Sequence, residues 1–173
     1  MIESSFFLVK PFCAGHLLQY AVAMDAEQLL ATNDYLVLCT ADAAGTPWPS
    51  PVWYAWDGRR FLWVSRPESR HSRNLAVRPT ASAVIFDSSV PGYAGEALYV
   101  EVEGAQVPDN ELDEGIAAFS TQFEARGLGA WAVEQLSGDS PRRLYYATAG
   151  AASLLFKHDQ RISTEMPNHA VLR

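Results

Sequence analysis

Pro47, Pro49 and Pro51 alternate with Trp48 and Ser50 and run straight into Val52-Trp53-Tyr54-Ala55-Trp56. A proline has no backbone N–H to donate, so three at every second position are expected to keep this segment's start out of continuous ladder pairing. The β-branched and aromatic half that follows suits a strand. Asp57-Gly58 supplies a tight hairpin turn, and Arg59 to Ser65 reads as the returning strand. Connections this short favour antiparallel neighbours.

The rest of the chain follows the same pattern. Asp25 is a good N-cap with Gln28 three residues on, and Met24 can staple onto Leu29, which predicts a short helix to about Asn33. Tyr35 to Thr40 is an apolar run of strand length, and Asp42-Ala43-Ala44-Gly45 is a turn. Ser69 can cap a second short helix that stops before Pro79. Thr80 to Phe86 reads as a strand, followed by a loop from Asp87 through Gly92. Glu96 to Val107 reads as a long strand whose Tyr99, Glu101 and Glu103 make a polar face against Leu98, Val100 and Val102. Leu112, Ile116, Phe119 and Phe123 recur at helical steps after Pro108-Asp109. Ala130 to Leu136 reads as a further short helix. Arg143 to Thr148 and Ala151 to Phe156 read as a closing hairpin turning at Ala149-Gly150. The expected fold is one mainly β domain over residues 1–173, a small antiparallel barrel or sandwich with flanking helices. Residues 1–23 form an N-terminal extension, and 158–173 a polar tail that wraps a surface or a partner.

Composition narrows the function. A net charge of −7 excludes a general nucleic-acid binder, which needs a basic face. Cys13 and Cys39 form no CxxC, so neither a disulfide scaffold nor a thiolate zinc site is expected, and a reducing cytoplasm is the expected location. No apolar run has the length of a membrane span. Lys10 and the small residues Ala21 and Ala23 have the outline of a secretion signal, but His16, Gln19 and Tyr20 interrupt its apolar part and Glu3 sits where positive charge belongs. There is no GxSxG, HExxH or P-loop, and His16, His71, His158 and His169 have no metal-ligand spacing.

One segment stands out chemically. Ser65-Arg66-Pro67-Glu68-Ser69-Arg70-His71-Ser72-Arg73-Asn74 links a strand to a helix and gathers three arginines, a histidine and three serines in an acidic chain. Hydroxyls and charged donors at such a turn suit a phosphate; the alternative is a solvated loop paired with surface carboxylates. Beside it, Trp48, Trp53, Trp56 and Trp63 concentrate in the hairpin, where aromatic rings either fill a core or wall a flat cofactor.

The ordered set Gly45-Thr46-Pro47, Pro51-Val52-Trp53-Tyr54, Asp57-Gly58, Phe61-Leu62-Trp63-Val64-Ser65, Ser69-Arg70-His71, Arg73-Asn74-Leu75, Arg78-Pro79 and Ser82-Ala83-Val84-Ile85-Phe86-Asp87 resembles the pyridoxamine 5′-phosphate oxidase superfamily over about residues 25 to 157. The resemblance implies an FMN-binding split β-barrel of about six antiparallel strands with flanking helices. It also implies a homodimer with FMN in clefts between subunits, and a flavin-dependent oxidoreductase acting on a small molecule. Ser65 then reaches the flavin phosphate or ribityl chain, Ser69 and Arg70 grip the phosphate, and His71 replaces a lysine. Val64, just before Ser65 on that strand, is a further cofactor-binding residue, and the backbone of Pro51, Val52 and Trp53 lies along the flavin ring. A deazaflavin is the rival cofactor, and a non-enzymatic flavin- or haem-binding protein the rival function.

Departures from the family pattern fall on the substrate side. Ser50 and Ala55 stand where the oxidases carry arginine and lysine. Gly127-Leu128-Gly129-Ala130-Trp131 matches a helix-start motif, but Ala118, Gln122 and Arg126 replace its substrate-phosphate donors. Oxidation of pyridoxine phosphate is therefore not expected.

Overall fold

The computed structural model describes residues 25–90, 96–156 and 160–172. In it the proline segment is paired throughout. Strand β2 (Pro47–Trp53) lies antiparallel to β1 (Tyr35–Ala41) in register from Tyr35↔Trp53 to Ala41↔Pro47. This corrects the expected break in the ladder, and the reason is geometric. Backbone N–H groups in a strand point to alternate sides, so prolines at every second position all remove donors from one side. Trp48, Ser50 and Val52 keep their N–H groups for β1, and among the described residues β2 is an edge strand on its other side.

Strand β3 (Ala55–Trp56) follows β2 after Tyr54 alone, yet it pairs with β4 (Arg60–Ser65) at the far end of the sheet. Next come helix α2 (Arg70–Val77), β5 (Thr80–Phe86), β6 (Ala97–Gln106), β7 (Arg143–Phe156) and β8 (Gln160–Thr164). The order across the sheet is β2-β1-β5-β6-β7-β4-β3, with β8 added along β7. The two ends of the sheet are thus joined by the covalent chain at Tyr54, and the sheet curls into an antiparallel split barrel of eight strands among the described residues. The fold class matches the expectation; the strand count exceeds the expected six.

Two apolar layers result. Alternate residues of β1, β4, β5 and β6 fill the barrel with Leu36, Leu38, Trp63, Ile85 and Leu98, each at most 1% exposed. Helix α1 (Ala26–Thr32) plugs this interior with Leu29 and Leu30; its first turn is capped by the Asp25 carboxylate accepting from the Gln28 N–H at 2.8 Å. Full burial of each leucine is worth about 1.5–3 kcal/mol. The opposite face of β4 and β7, with Leu62 and Leu144, packs against helix α3 (Leu112–Ala125) through Leu112, Ile116 and Phe119.

Two expected elements are different. Residues 130–136 contain only a 3₁₀ turn, Val133–Gln135, too short to bury an apolar face of its own. Arg143–Phe156 is one long strand: Ala149-Gly150 marks a β-bulge, where Val100↔Ala152 steps to Val102↔Ala149. A Cβ on Gly150 would sit 3.3 Å from the Glu101 carbonyl oxygen, so the glycine permits close backbone approach and no chain reversal occurs there. The expected extension 1–23, the Met24 staple and the centre of the loop after Asp87 lie outside the described residues.

The tail wraps the chain's own surface. Trp56 Nε1 donates to the Pro167 carbonyl at 3.1 Å, Gln122 Nε2 donates to the Val171 carbonyl at 2.5 Å, and Val171 is buried. It crosses the β3–β4 hairpin, where Gly58 has φ of +100° and a Cβ would lie 3.0 Å from His169 Cα. Gly45 has φ of +88°, with no described residue near its missing Cβ. Both Gly→Ala variants strain the backbone by about 1–2 kcal/mol, and only Gly58→Ala also displaces the tail. Thermal unfolding should show the larger Tm loss for Gly58→Ala, with faster proteolysis after Thr164; equal losses and unchanged proteolysis would contradict this contact.

Candidate functional site

Four elements meet at one end of the barrel around a cleft of about 430 Å³. Pro51, Val52 and Trp53 reach it at the end of β2, and Val64 and Ser65 at the end of β4. His71 reaches it from the first turn of α2. Phe119 and Phe123 overhang it from α3, and Trp131 and Arg142 close its rim. Among the described residues no acidic side chain lines it.

Its polar corner is a tight cluster. Ser65 Oγ lies 2.8 Å from His71 Nε2 and 3.0 Å from Ser69 Oγ, and Ser69 Oγ lies 3.1 Å from His71 Nε2. Ser69 is the N-cap of α2: its Oγ accepts from the Ser72 N–H and donates to Ser72 Oγ at 2.8 Å. That spends the Ser69 proton. The three mutual contacts of Ser65, Ser69 and His71 therefore share at most two protons, from the Ser65 hydroxyl and from Nε2 in one tautomer. When Nε2 carries its proton, the ring donates inward and the Ser65 O–H is free to donate into the cleft. Among the described residues, no acceptor faces the first-turn N–H groups of Arg70 and His71, which lie at this same end of α2.

Helix α2 is locked in place from behind. Asn74 Nδ2 donates to Thr40 Oγ1 at 3.0 Å, Thr40 Oγ1 donates to the Trp48 carbonyl at 3.2 Å, and Asn74 and Thr40 are both buried. This chain ties α2 to β1 and β2, and so fixes the serine–histidine corner relative to the cleft wall.

The apolar wall is a set of rings in mutual edge contact. Trp53 meets Phe123 at 4.3 Å between centroids and Phe119 at 5.6 Å, and Phe123 meets Trp131 at 5.9 Å. Arg126 lies 4.7 Å over the Trp53 ring and pairs with Asp34. The hairpin tryptophans divide: Trp56 and Trp63 are core, Trp53 walls the cleft, and Trp48 is exposed.

The sequence-derived site residues are largely brought together. Pro51, Val52, Trp53, Val64, Ser65 and His71 line the cleft, and Ser69 is bonded to two of them. The Arg70 side chain goes elsewhere: its guanidinium stacks 4.3 Å over Trp48 and lies 3.9 Å from Asp42. Phe119, Phe123, Trp131 and Arg142 were not foreseen. The two phenylalanines were legible only as an apolar helix face, and Arg142 reaches the cleft through the pairing of Ser65 with Arg143, which no local motif announces.

The donor set fits a phosphorylated ring: hydroxyls, first-turn N–H groups and a guanidinium for the anion, and aromatic and proline surfaces for the ring. A family model described as pyridoxamine 5′-phosphate oxidase matches residues 24–156. The chain belongs to that family. No curated protein sequence matches it. Among solved structures it is similar to a haem-binding protein from Mycobacterium smegmatis (TM-score 0.62, 20% identity, 83% of this chain and 59% of that one). It thus spans less than two thirds of that relative. It is also similar to HutZ, a haem storage protein from Vibrio cholerae (TM-score 0.61, 22% identity, 78% and 96%), and to an F420 reductase (TM-score 0.54, 24% identity, 76% and 98%). At these identities the likeness establishes the split-barrel fold. The family's substrate-side positions are occupied differently here: Ser50 and Ala55 are buried, Gln122 is bonded to the tail, and Arg126 is paired with Asp34.

Burial holds the His71 imidazole below its ordinary value of 6.5, so it is neutral at pH 7. The unfolded chain takes up this proton first as pH falls. Stability is therefore lost between about pH 6.5 and the lower folded midpoint, and His71→Asn removes that part of the pH dependence. NMR titration of the His71 ring should give a midpoint below 6.5; one above it would mean an anionic partner outweighs burial.

Proposed function

We propose that this chain is a flavin-binding protein that holds FMN in the cleft and serves as an oxidoreductase for a small molecule. The observation that carries the reading is the junction, in one acid-free cleft, of an anion-suited corner (Ser65, Ser69, His71 and the start of α2) with an aromatic and proline wall. FMN, when bound, supplies the hydride or electron transfer, which is why the cleft needs no nucleophile of its own. The chain's residues hold the phosphate, set the ring against Pro51–Trp53 and keep water from it with Phe119, Phe123 and Trp131. A deazaflavin fits the same donors. Pyridoxine phosphate is not the substrate in this reading, because Gln122 is committed to the Val171 carbonyl and Arg126 to Asp34.

The active form in this reading is a homodimer. An apolar strip runs from the cleft across the outer sheet face: Trp53 is level with Tyr35 and Pro51 with Val37 on β1, and Val37 with Val84 on β5. Tyr35 and Phe86 are 57% and 45% exposed along it. A second copy seated there covers the strip and completes the cleft. The sedimenting mass should be twice that of one chain, and Tyr35→Glu should halve it.

The test is a titration of purified protein with FMN, riboflavin and haem. The expected result is saturable quenching of FMN fluorescence and weaker riboflavin binding. Ser65→Ala should weaken FMN about tenfold, the effect of losing a hydrogen bond to a charged group, with riboflavin unchanged. Bleaching of the bound flavin by NADPH under anaerobic conditions separates an enzyme from a store. A second reading, favoured by the haem-binding names of two structural neighbours, is a haem protein. A Soret band on haem addition with no FMN binding would replace the flavin reading by that one.

A further inference from the structure

The segment singled out for its arginines brings its serines and its histidine to the cleft, but none of Arg66, Arg70 and Arg73 lines it. Arg70 is engaged with Trp48 and Asp42, and Arg73 Nη1 donates to the Glu68 carbonyl at 2.5 Å. Neutral donors and the partial charge at the start of α2 offset only part of a phosphate's charge. A fixed cation from another part of the chain would offset the rest.

Arg142 meets that need. Ser65 pairs with Arg143, so Arg142 stands one residue beyond the end of the β4–β7 ladder, lining the same cleft as Ser65 and His71. The two adjacent arginines have opposite duties. Arg143 spends its guanidinium on the carbonyls of Ser140 at 2.6 Å, Arg142 at 2.7 Å and Gly138 at 2.8 Å. Ser140 Oγ in turn donates to the Gln135 carbonyl at 2.5 Å and accepts from the Arg142 N–H at 3.2 Å. The loop is therefore stiffened from inside, and Arg142 is presented on a fixed backbone. Among the described residues no carboxylate lies within ion-pair distance of it. An arginine left without a carboxylate in a chain of net charge −7, at the rim of an acid-free cleft, is suited to an incoming anion.

We propose that Arg142 is the charged arm of the anion site, closing over a phosphomonoester whose other oxygens meet Ser65 and the start of α2. This rests on the flavin reading for the identity of the ligand, though not for the presence of an anion site. It assigns the strongest charge contact to a residue far in sequence from the serine–arginine segment.

The experiment compares wild type, Arg142→Gln, Arg142→Lys and, as a charge-matched control on the remote hairpin, Arg59→Gln. FMN and riboflavin are titrated by fluorescence, and inorganic phosphate by ³¹P NMR. Arg142→Gln should raise the FMN Kd at least about tenfold, the lower range for a lost charge-assisted bond, and leave riboflavin unchanged. Arg142→Lys should recover part of the loss, since it keeps the charge without the fork, and Arg59→Gln should match wild type. An FMN Kd within twofold of wild type in Arg142→Gln, or equal losses for FMN and riboflavin, overturns the proposal. If wild type binds neither flavin, the flavin reading fails by itself; phosphate binding that is present in wild type and lost in Arg142→Gln still supports the arm, and wild type that binds no phosphate overturns it.

Discussion

The barrel is closed by a covalent bond rather than by a ladder. β2 and β3 lie at opposite ends of the sheet, and one residue, the buried Tyr54, carries the chain between them. Its hydroxyl donates to the Leu30 carbonyl at 3.3 Å and its ring meets Phe61 at 5.4 Å. The bend is thereby pinned to the helix that plugs the interior and to β4, the strand with which β3 pairs. Any loosening there opens the sheet, removes the wall carried by Trp53 and separates Pro51–Trp53 from Ser65 across the cleft.

The parts that compose the cleft are each fixed by something outside it. The Thr40–Asn74 pair sets α2, the Arg143 fan sets the loop before β7, and Arg126 backs Trp53 against α3. The tail adds a tie from Trp56 to Gln122. These contacts are mostly hydrogen bonds in partly or fully buried settings, where geometry is exacting and a lost partner costs about 1–3 kcal/mol. The cleft's own members, by comparison, share too few protons to satisfy one another. The scaffold has its own unmet atoms, since Trp63 Nε1 and Gln122 Oε1 are buried without a partner among the described residues; what sets the corner apart is that its unmet contacts border the cleft.

Most of the architecture was legible because it depends on local chemistry: the Asp25 and Ser69 caps, the Asp57-Gly58 turn and the alternation in β6 all act within a few residues. The departures came from tertiary context. The prolines of β2 look prohibitive until the strand is known to be an edge. Ala149-Gly150 has turn composition, but two flanking strands hold it straight. Ser65 and His71 were legible through their setting on a strand-to-helix turn, whereas Arg70 was drawn aside by Trp48, a partner about twenty positions earlier whose reach only the folded register reveals. Arg142 has no local mark at all, since a pair of adjacent arginines does not say which one is spent on the backbone.

The alternation of Pro47, Pro49 and Pro51 has a further consequence for the rim of the cleft. In a strand the N–H and C=O of one residue point the same way, so the outward side of β2 keeps its carbonyls and, from Pro47 to Pro51, has lost its donors. Another strand cannot be hydrogen-bonded onto such an edge in both directions, which leaves the rim chemically open and protects it from accidental sheet growth. What the rim offers instead is a short row of carbonyls that no donor among the described residues meets.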